Sequence, residues 1–222
     1  MDVMQRESVR NAVAYIIGRE GRIDALVNNA GLGFAGAVED ATTEEIENLF
    51  RTNVLGALDC CREVIPHMRK QGGGHIVNIS SIAGEFGLPF RGVYSASKGA
   101  LDLFSETMRM ELKPSRIWVS IVQPGDVRTG INSNRKVAAA SLQESSPYYA
   151  AFQRAYAHIS QEVATAKKPE LVARIVLRIL RTEQPRMRYP AATWVQRLSI
   201  SLNRILPKHL FQAMLMRKYP VE

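Results

Sequence analysis

Residues 75–98 read HIVNISSIAGEFGLPFRGVYSASK, and the reading of this stretch decides the fold class. Its first six residues are too apolar and β-branched for a strand with one solvated face, so HIVNIS reads as a buried strand. The glycines and the proline of GEFGLPFRG then mark a loop. From Gly92 to Lys113 the spacing becomes helical, with Ala96, Ala100, Leu103 and Phe104 along one face. Working outward, residues 116–123 (RIWVSIVQ) form another buried strand, ended by Pro124-Gly125, and residues 22–28 (RIDALVN) form a third. Three apolar strands separated by helices predict an α/β fold: a doubly wound parallel sheet in three layers, α/β/α.

Other signals fill in this plan. Val9, Val13, Ile16 and Ile17 recur at helical spacing until Gly21 stops the helix. Thr42-x-x-Glu45 is a capping box, in which hydroxyl and carboxylate satisfy free amides at a helix start. That helix runs to Lys70, with an interruption near Asn53 and a stop at residues 72–74. Residues 132–166 read as an irregular, partly helical insertion carrying Tyr148, Tyr149, Phe152 and Tyr156. Residues 169–181 form a helix with Leu171, Val172, Ile175, Val176, Ile179 and Leu180 facing inward. Residues 194–206 and 209–219 are two amphipathic segments parted by Pro207. One domain over residues 1–222 accommodates all of this, with 132–166 as a substrate loop and 186–222 as a basic amphipathic carboxy-terminal segment.

The chain is 46% hydrophobic and 23% charged, as soluble globular proteins are. Its net charge of +8 is concentrated late, since residues 167–222 hold 12 Lys and Arg against 3 Asp and Glu. Such a stretch either meets an anionic surface or forms a solvated helix face. Cys60 and Cys61 are adjacent and cannot pair with each other in ordinary disulfide geometry, so a reducing, cytoplasmic compartment is predicted. MDVMQRESVR has no apolar stretch behind its charges and does not read as a signal peptide. No apolar run reaches the roughly 18 residues of a membrane-spanning helix. His67, His75, His158 and His209 lack ligand spacing, so no metal site is predicted.

The chemistry concentrates at Ser81, Tyr94 and Lys98. Tyr94 opens a helix, and Lys98 lies one turn on, along the same face. A free phenol titrates near pH 10, too high for a general base at neutral pH, and a neighbouring ammonium favours its phenolate. Pairs at this spacing also occur as surface decoration. Ser81, however, ends a buried strand at the carboxyl edge, where open α/β sheets bind ligands. Its hydroxyl would hold a substrate oxygen beside the phenol. Asn53, at the helix interruption, would position a water with its carbonyl and amide.

Four motifs then agree in order and context. Asn28-Asn29-Ala30-Gly31 follows a strand, and Asn53-Val54-Leu55-Gly56 falls at the helix interruption. Ile79-Ser80-Ser81 precedes Tyr94-Ser95-Ala96-Ser97-Lys98, and Pro124-Gly125-Asp126-Val127-Arg128-Thr129 follows the next strand. From Asp2 to about Gly130 the sequence resembles the short-chain dehydrogenase/reductase family, which has a Rossmann-like fold. The resemblance implies hydride transfer between NAD or NADP and an alcohol or carbonyl, with Tyr94 exchanging the proton. Lys98 would lower the phenol pKa and bind the nicotinamide ribose, Ser81 would bind the substrate oxygen, and Asn53 would hold a relay water. Asn28, Ala30 and Gly31 would line the cofactor path, and Pro124, Gly125, Val127 and Thr129 would embrace the nicotinamide. Asp2 and Val3 resemble the pair beside the adenine.

The family's first strand, glycine-rich turn and helix have no counterpart between Met1 and Asn28; Gly31-Leu32-Gly33 and Gly36 belong to the later loop. A sheet incomplete at its amino-terminal side is therefore predicted, with residues 25–28 as an unpaired apolar edge and weak dinucleotide affinity. The alternative is a fragment or interaction protein that keeps these residues without catalysis. Phe86, Leu88, Phe90 and the aromatic insertion suggest a lipophilic substrate, unless they are plain core. The resemblance also brings a homodimer or homotetramer through residues 53–70 (Gly56, Ala57, Cys60, Val64) and 92–113 (Ala100, Leu103, Phe104, Met108). No nucleic-acid partner is predicted, and the basic segment suggests peripheral membrane contact.

Overall fold

The computed structural model describes residues 1–128, 134–164, 166 and 168–219. Its strands are β1 (Ala25–Asn28), β2 (Phe34–Ala35), β3 (Gly74–Ile79), β4 (Ile117–Pro124), β5 (Lys136–Val137) and β6 (Arg188–Ala191). Four form one parallel sheet in the order β1-β3-β4-β6, while β2 and β5 pair separately. The register places Asn28 beside Asn78, Ile79 beside Val122, and Pro124 beside Ala191, so the carboxyl ends form one edge.

The helices are α1 (Arg6–Glu20), α2 (Thr43–Phe50), α3 (Gly56–Lys70), α4 (Gly92–Glu111), α5 (Tyr149–Ala164), α6 (Glu170–Leu180), α7 (Trp194–Ile205) and α8 (Lys208–Lys218). Alternation along β3 and β4 decides what each face meets. Ile76, Ile117 and Val119 pack with Val13 of α1, Val64 and Met68 of α3, and Leu112 just beyond α4. Val77 and Val122 turn the other way, onto Ile179, Val172, Ile175 and Val176 of α6. Helices thus cover both faces, as the sequence pattern predicts.

Local signals act where the chain places them. Gly21 ends α1 in the left-handed region (φ 73°), and the Thr42–Glu45 capping box is complete. The interruption near Asn53 is a π-helical turn, Arg51–Leu55, which turns Asn53 fully inward without breaking the chain direction.

Three differences from the sequence reading, and one agreement with it, have physical causes. First, β6 lies inside the segment read as basic and amphipathic. It has four residues and includes Pro190, which an edge strand tolerates because it needs fewer ladder donors. Second, the described residues between 134 and 166 are more regular than predicted, with β5 paired to β2 and a 16-residue α5 whose Phe152 is fully buried. Third, and as the sequence reading expects, β1 is an apolar edge strand, half uncovered, with Val27 39% exposed on the face that α6 covers over β3, β4 and β6. Fourth, Gly56, Ala57, Cys60 and Val64 of α3 are buried within the chain, Gly56 against Val3 and Val64 in the core. They are not a free association face. On α4 the polarity is reversed: Ser97, Lys98, Asp102 and Ser105 are buried, whereas Leu103 (65%) and Phe104 (44%) are exposed.

Burial also governs the thiols. It pushes the Cys61 thiol up to about 12 and raises that of Cys60, which also faces Asp59. Thiolate is the reactive form. Ellman's reagent at neutral pH is therefore expected to modify neither cysteine in the native protein and both after unfolding in urea.

Candidate active site

The carboxyl edge opens into a cavity of about 750 Å³ between the sheet, the start of α4 and α6. Tyr94 and Lys98 line it together with Gly31, Pro124, Gly125 and Val127. Tyr94 is the third residue of α4, and Lys98 follows one turn later on the same face. The Lys98 ammonium is 6.0 Å from the Tyr94 ring centroid and donates to the Ile79 carbonyl at 3.0 Å. That bond pins the buried ammonium to the end of β3. Gly31 allows this approach: a Cβ there would lie 3.4 Å from Lys98 Nζ and 3.3 Å from Asn53 Oδ1.

Asn53 works as a clamp. Its Oδ1 accepts from Leu32 N at 2.7 Å, and its Nδ2 donates to Leu32 O at 3.0 Å and Ser97 Oγ at 3.1 Å. The side-chain amide is thereby committed to the loop after β1 and to α4 rather than to the water suggested by the sequence. Ser81 begins the 3₁₀ turn Ile82–Gly84, accepting from Ala83 N at 3.1 Å and donating to the Pro124 carbonyl at 3.4 Å. The cavity wall reaches Ser80 and Pro124, and Ser81 stands immediately behind.

Asn28 faces away from this cavity. Its Nδ2 donates to Asn78 Oδ1 at 2.8 Å, and Asn78 donates onward to Ser105 Oγ at 2.7 Å, joining β1, β3 and α4 inside the core. With Val3 and Ala30 it borders a second cavity of about 130 Å³. Asp2 borders neither; its carboxylate accepts from Met4 N at 2.9 Å in an exposed turn. Thr129 lies outside the described residues.

The short chain dehydrogenase family profile matches residues 1–139. A 3-ketodihydrosphingosine reductase from Bacteroides thetaiotaomicron is 39% identical over 212 residues, which span 96% of this chain and 78% of that one. The chain belongs to the short-chain dehydrogenase family. A solved short-chain dehydrogenase from Streptomyces avermitilis is 30% identical with a TM-score of 0.79, covering 100% of this chain and 77% of that one. A solved NAD⁺-bound xylitol dehydrogenase is 26% identical with a TM-score of 0.69, covering 85% and 75% respectively.

In this short-chain dehydrogenase two arginines join the site without having been singled out in the sequence. The Arg91 guanidinium carbon stands 5.3 Å from the Tyr94 ring centroid, and Arg135 lines the same cavity with its own guanidinium 5.9 Å from the Tyr156 ring. Burial first, then the like charge of Arg91, holds Arg135 below the usual arginine range. Arg91 was findable as the residue just before α4, three positions ahead of Tyr94. Arg135 sits in a stretch without periodicity and gave no signal.

The aromatics named for substrate have other partners. Phe86 meets Phe211 edge-on at 5.0 Å, and Phe90 meets Phe152 at 5.6 Å. Leu88 packs on the cluster around Phe34 and Leu49. The cavity's apolar wall comes instead from Val172, Val176, Leu177 and Leu180 of α6, with Phe34 and Ile79.

Proposed function

We propose that this chain is an NAD- or NADP-dependent oxidoreductase acting on the alcohol or carbonyl of a lipophilic small molecule, with Tyr94 as its proton-exchanging group. The observation that carries the reading is one cavity in which a buried ammonium, fixed to Ile79, stands beside a phenol under an apolar wall. The residues present suit the nicotinamide half of a dinucleotide: Gly31 and Gly125 bring backbone to the cavity wall, and Lys98 offers a donor. Support for the dinucleotide also comes from the NAD⁺-bound relative, and for a long-chain substrate from the 3-ketodihydrosphingosine reductase.

A bound dinucleotide would supply or take the hydride through its nicotinamide ring. Tyr94 gives its phenolic proton to the carbonyl oxygen during reduction, and takes one back during oxidation. Lys98 sets its positive charge beside the phenol and would donate to the ribose of a bound dinucleotide. Ser81 exchanges its long bond to Pro124 for one to the substrate oxygen. Asn53 holds the Leu32 loop. The apolar wall excludes bulk water from the transfer. Asp2 and Val3 would stand on the adenine side, and Asn28 and Ala30 along the cofactor path, Asn28 by shaping the backbone rather than by direct contact.

Fluorescence titration with NADH and NADPH, on the natural protein with any residues encoded upstream of Met1, tests the reading. Saturable binding together with ketone reduction supports it. Absence of both favours the alternative of an interaction protein that retains these side chains.

The same reading places the protein in the cytoplasm as a homodimer or homotetramer, with the exposed stripe of α4 as the interface. Leu103→Glu combined with Phe104→Glu is expected to yield a monomer in light scattering at micromolar concentration, where the parent chain is at least a dimer. It also includes peripheral lipid contact through residues 186–222. Among the described residues no helix is long and apolar enough to cross a membrane.

A further inference from the structure

The carboxy-terminal helix α7 is turned the wrong way for a helix that serves only its own core. Its buried positions include Ile200 and Asn203, while Trp194 and Ile205 are 75% and 78% exposed. At 3.6 residues per turn, Trp194, Leu198 and Ile205 fall within about 40° of one another, with Val195 and Leu202 bordering the stripe. Arg197 and Arg204 flank it on one side, about 60–80° away. Between Glu183 and Glu222 there is no acidic residue but seven Lys and Arg. An apolar stripe with Trp, edged by Arg197 and by Arg204, which also pairs with Glu85 at 3.1 Å, has the composition of a helix lying in a bilayer interface.

α7 is also tied to the cavity. Gln196 Nε2 donates to Asp126 Oδ2 at 2.7 Å, and the Gln196 side chain packs directly over Gly125. Gly125 and Asp126 both line the cavity. We infer that α7 docks on anionic lipid through Trp194, Leu198 and Ile205, so that the cavity rim held by Gln196 faces the bilayer and the substrate is a membrane-resident amphiphile. This rests on the lipophilic-substrate reading. A second copy of the chain is a poorer occupant, because a two-fold contact sets the same patch against itself. Two acid-free basic segments would then meet.

The test is flotation of the full chain, without dinucleotide or substrate, on vesicles of phosphatidylcholine and on equimolar phosphatidylcholine and phosphatidylserine. Leaving out the cofactor separates this test from the redox reading, since docking and turnover can each fail alone. Binding to the anionic vesicles is expected, with quenching of tryptophan fluorescence by brominated lipid. Trp194→Ser with Ile205→Ser should weaken that binding by about tenfold or more, from the lost apolar burial. Both residues are largely exposed, so the unfolding midpoint should not move. Arg197→Gln should reduce the preference for phosphatidylserine by about fivefold. Absence of binding to anionic vesicles overturns the inference. So does binding that survives the double substitution, or a self-association in light scattering that the double substitution abolishes.

Discussion

Tyr94→Phe is expected to lower turnover by about 10²–10⁴-fold, the usual size of a general acid/base contribution. Dinucleotide affinity should stay close to that of the parent, because the phenol exchanges a proton and the ring remains to line the cavity. The substitution removes only an oxygen, so the ring's contact with Arg91, 5.3 Å from its centroid, is retained. Lys98→Ala should behave differently. It removes the ammonium fixed to Ile79 and the donor proposed for the ribose, so both turnover and affinity should fall. Steady-state rates with a panel of long-chain ketones, alongside fluorescence titration, separate the two. Parent-like turnover in Tyr94→Phe, where chemistry limits the rate, would remove Tyr94 from the mechanism.

The second large effect is structural and lies behind the site. Arg188, on the edge strand β6, donates to Glu85 at 2.7 Å, Asp102 at 3.0 Å and Glu106 at 2.7 Å. Glu85 belongs to the loop that begins at Ser81, and Gln123 and Arg204 also bind its carboxylate. This network fixes the serine loop against α4, β4, β6 and α7. Arg188→Met keeps the aliphatic stem but leaves Asp102 and Glu85 buried without their shared cation, their side chains only 4% and 9% exposed. The expected cost is about 3 kcal/mol, as for breaking a buried ion pair from one side. Urea unfolding measures it.

The pH dependence of that cost has a definite sign. Burial works to raise the Glu85 carboxyl, but Gln123, Arg188 and Arg204 together hold it below its usual value. The stability it contributes is present above the unfolded carboxylate pKa and is lost as pH falls through the lower folded value. Asp102 is raised, chiefly by burial, against Arg188 and its hydrogen bonds. Its contribution runs the other way, with protonation relieving a buried charge as pH falls. Without Arg188 both carboxyls should lie higher in the folded state. The deficit of Arg188→Met should therefore be largest near neutral pH and shrink as the medium becomes acidic. A deficit that grows in acid would contradict the assigned network.

The parts of this architecture that sequence exposes are those with a local cause. HIVNIS and RIWVSIVQ announce buried strands because both faces must be apolar, and Thr42-x-x-Glu45 announces a helix start because its side chains close on its own amides. Asn53 was legible as an interruption, though not as a π-helical turn whose amide ends on Leu32 and Ser97. Arg188–Ala191 was hidden, since four residues with a proline carry no period of two. Leu103 and Phe104 were legible as an association face and are exposed, but the polar burial opposite them was not legible. Inward-facing Lys98 and Asp102 bond to Ile79 and Arg188, and only the tertiary structure supplies those partners. Phe86 and Phe90 read equally as substrate wall or as core, and their partners Phe211 and Phe152 lie far along the chain.

The central claim is hydride transfer at the cavity shared by Tyr94 and Lys98. Its most direct test uses reduced NAD or NADP dideuterated at nicotinamide C4, a long-chain ketone, and mass spectrometry of the alcohol. The account predicts one deuterium on the carbinol carbon of each product molecule, with the rate of labelled product falling in Tyr94→Phe. Saturable dinucleotide binding with no labelled alcohol from any ketone in the panel would contradict it.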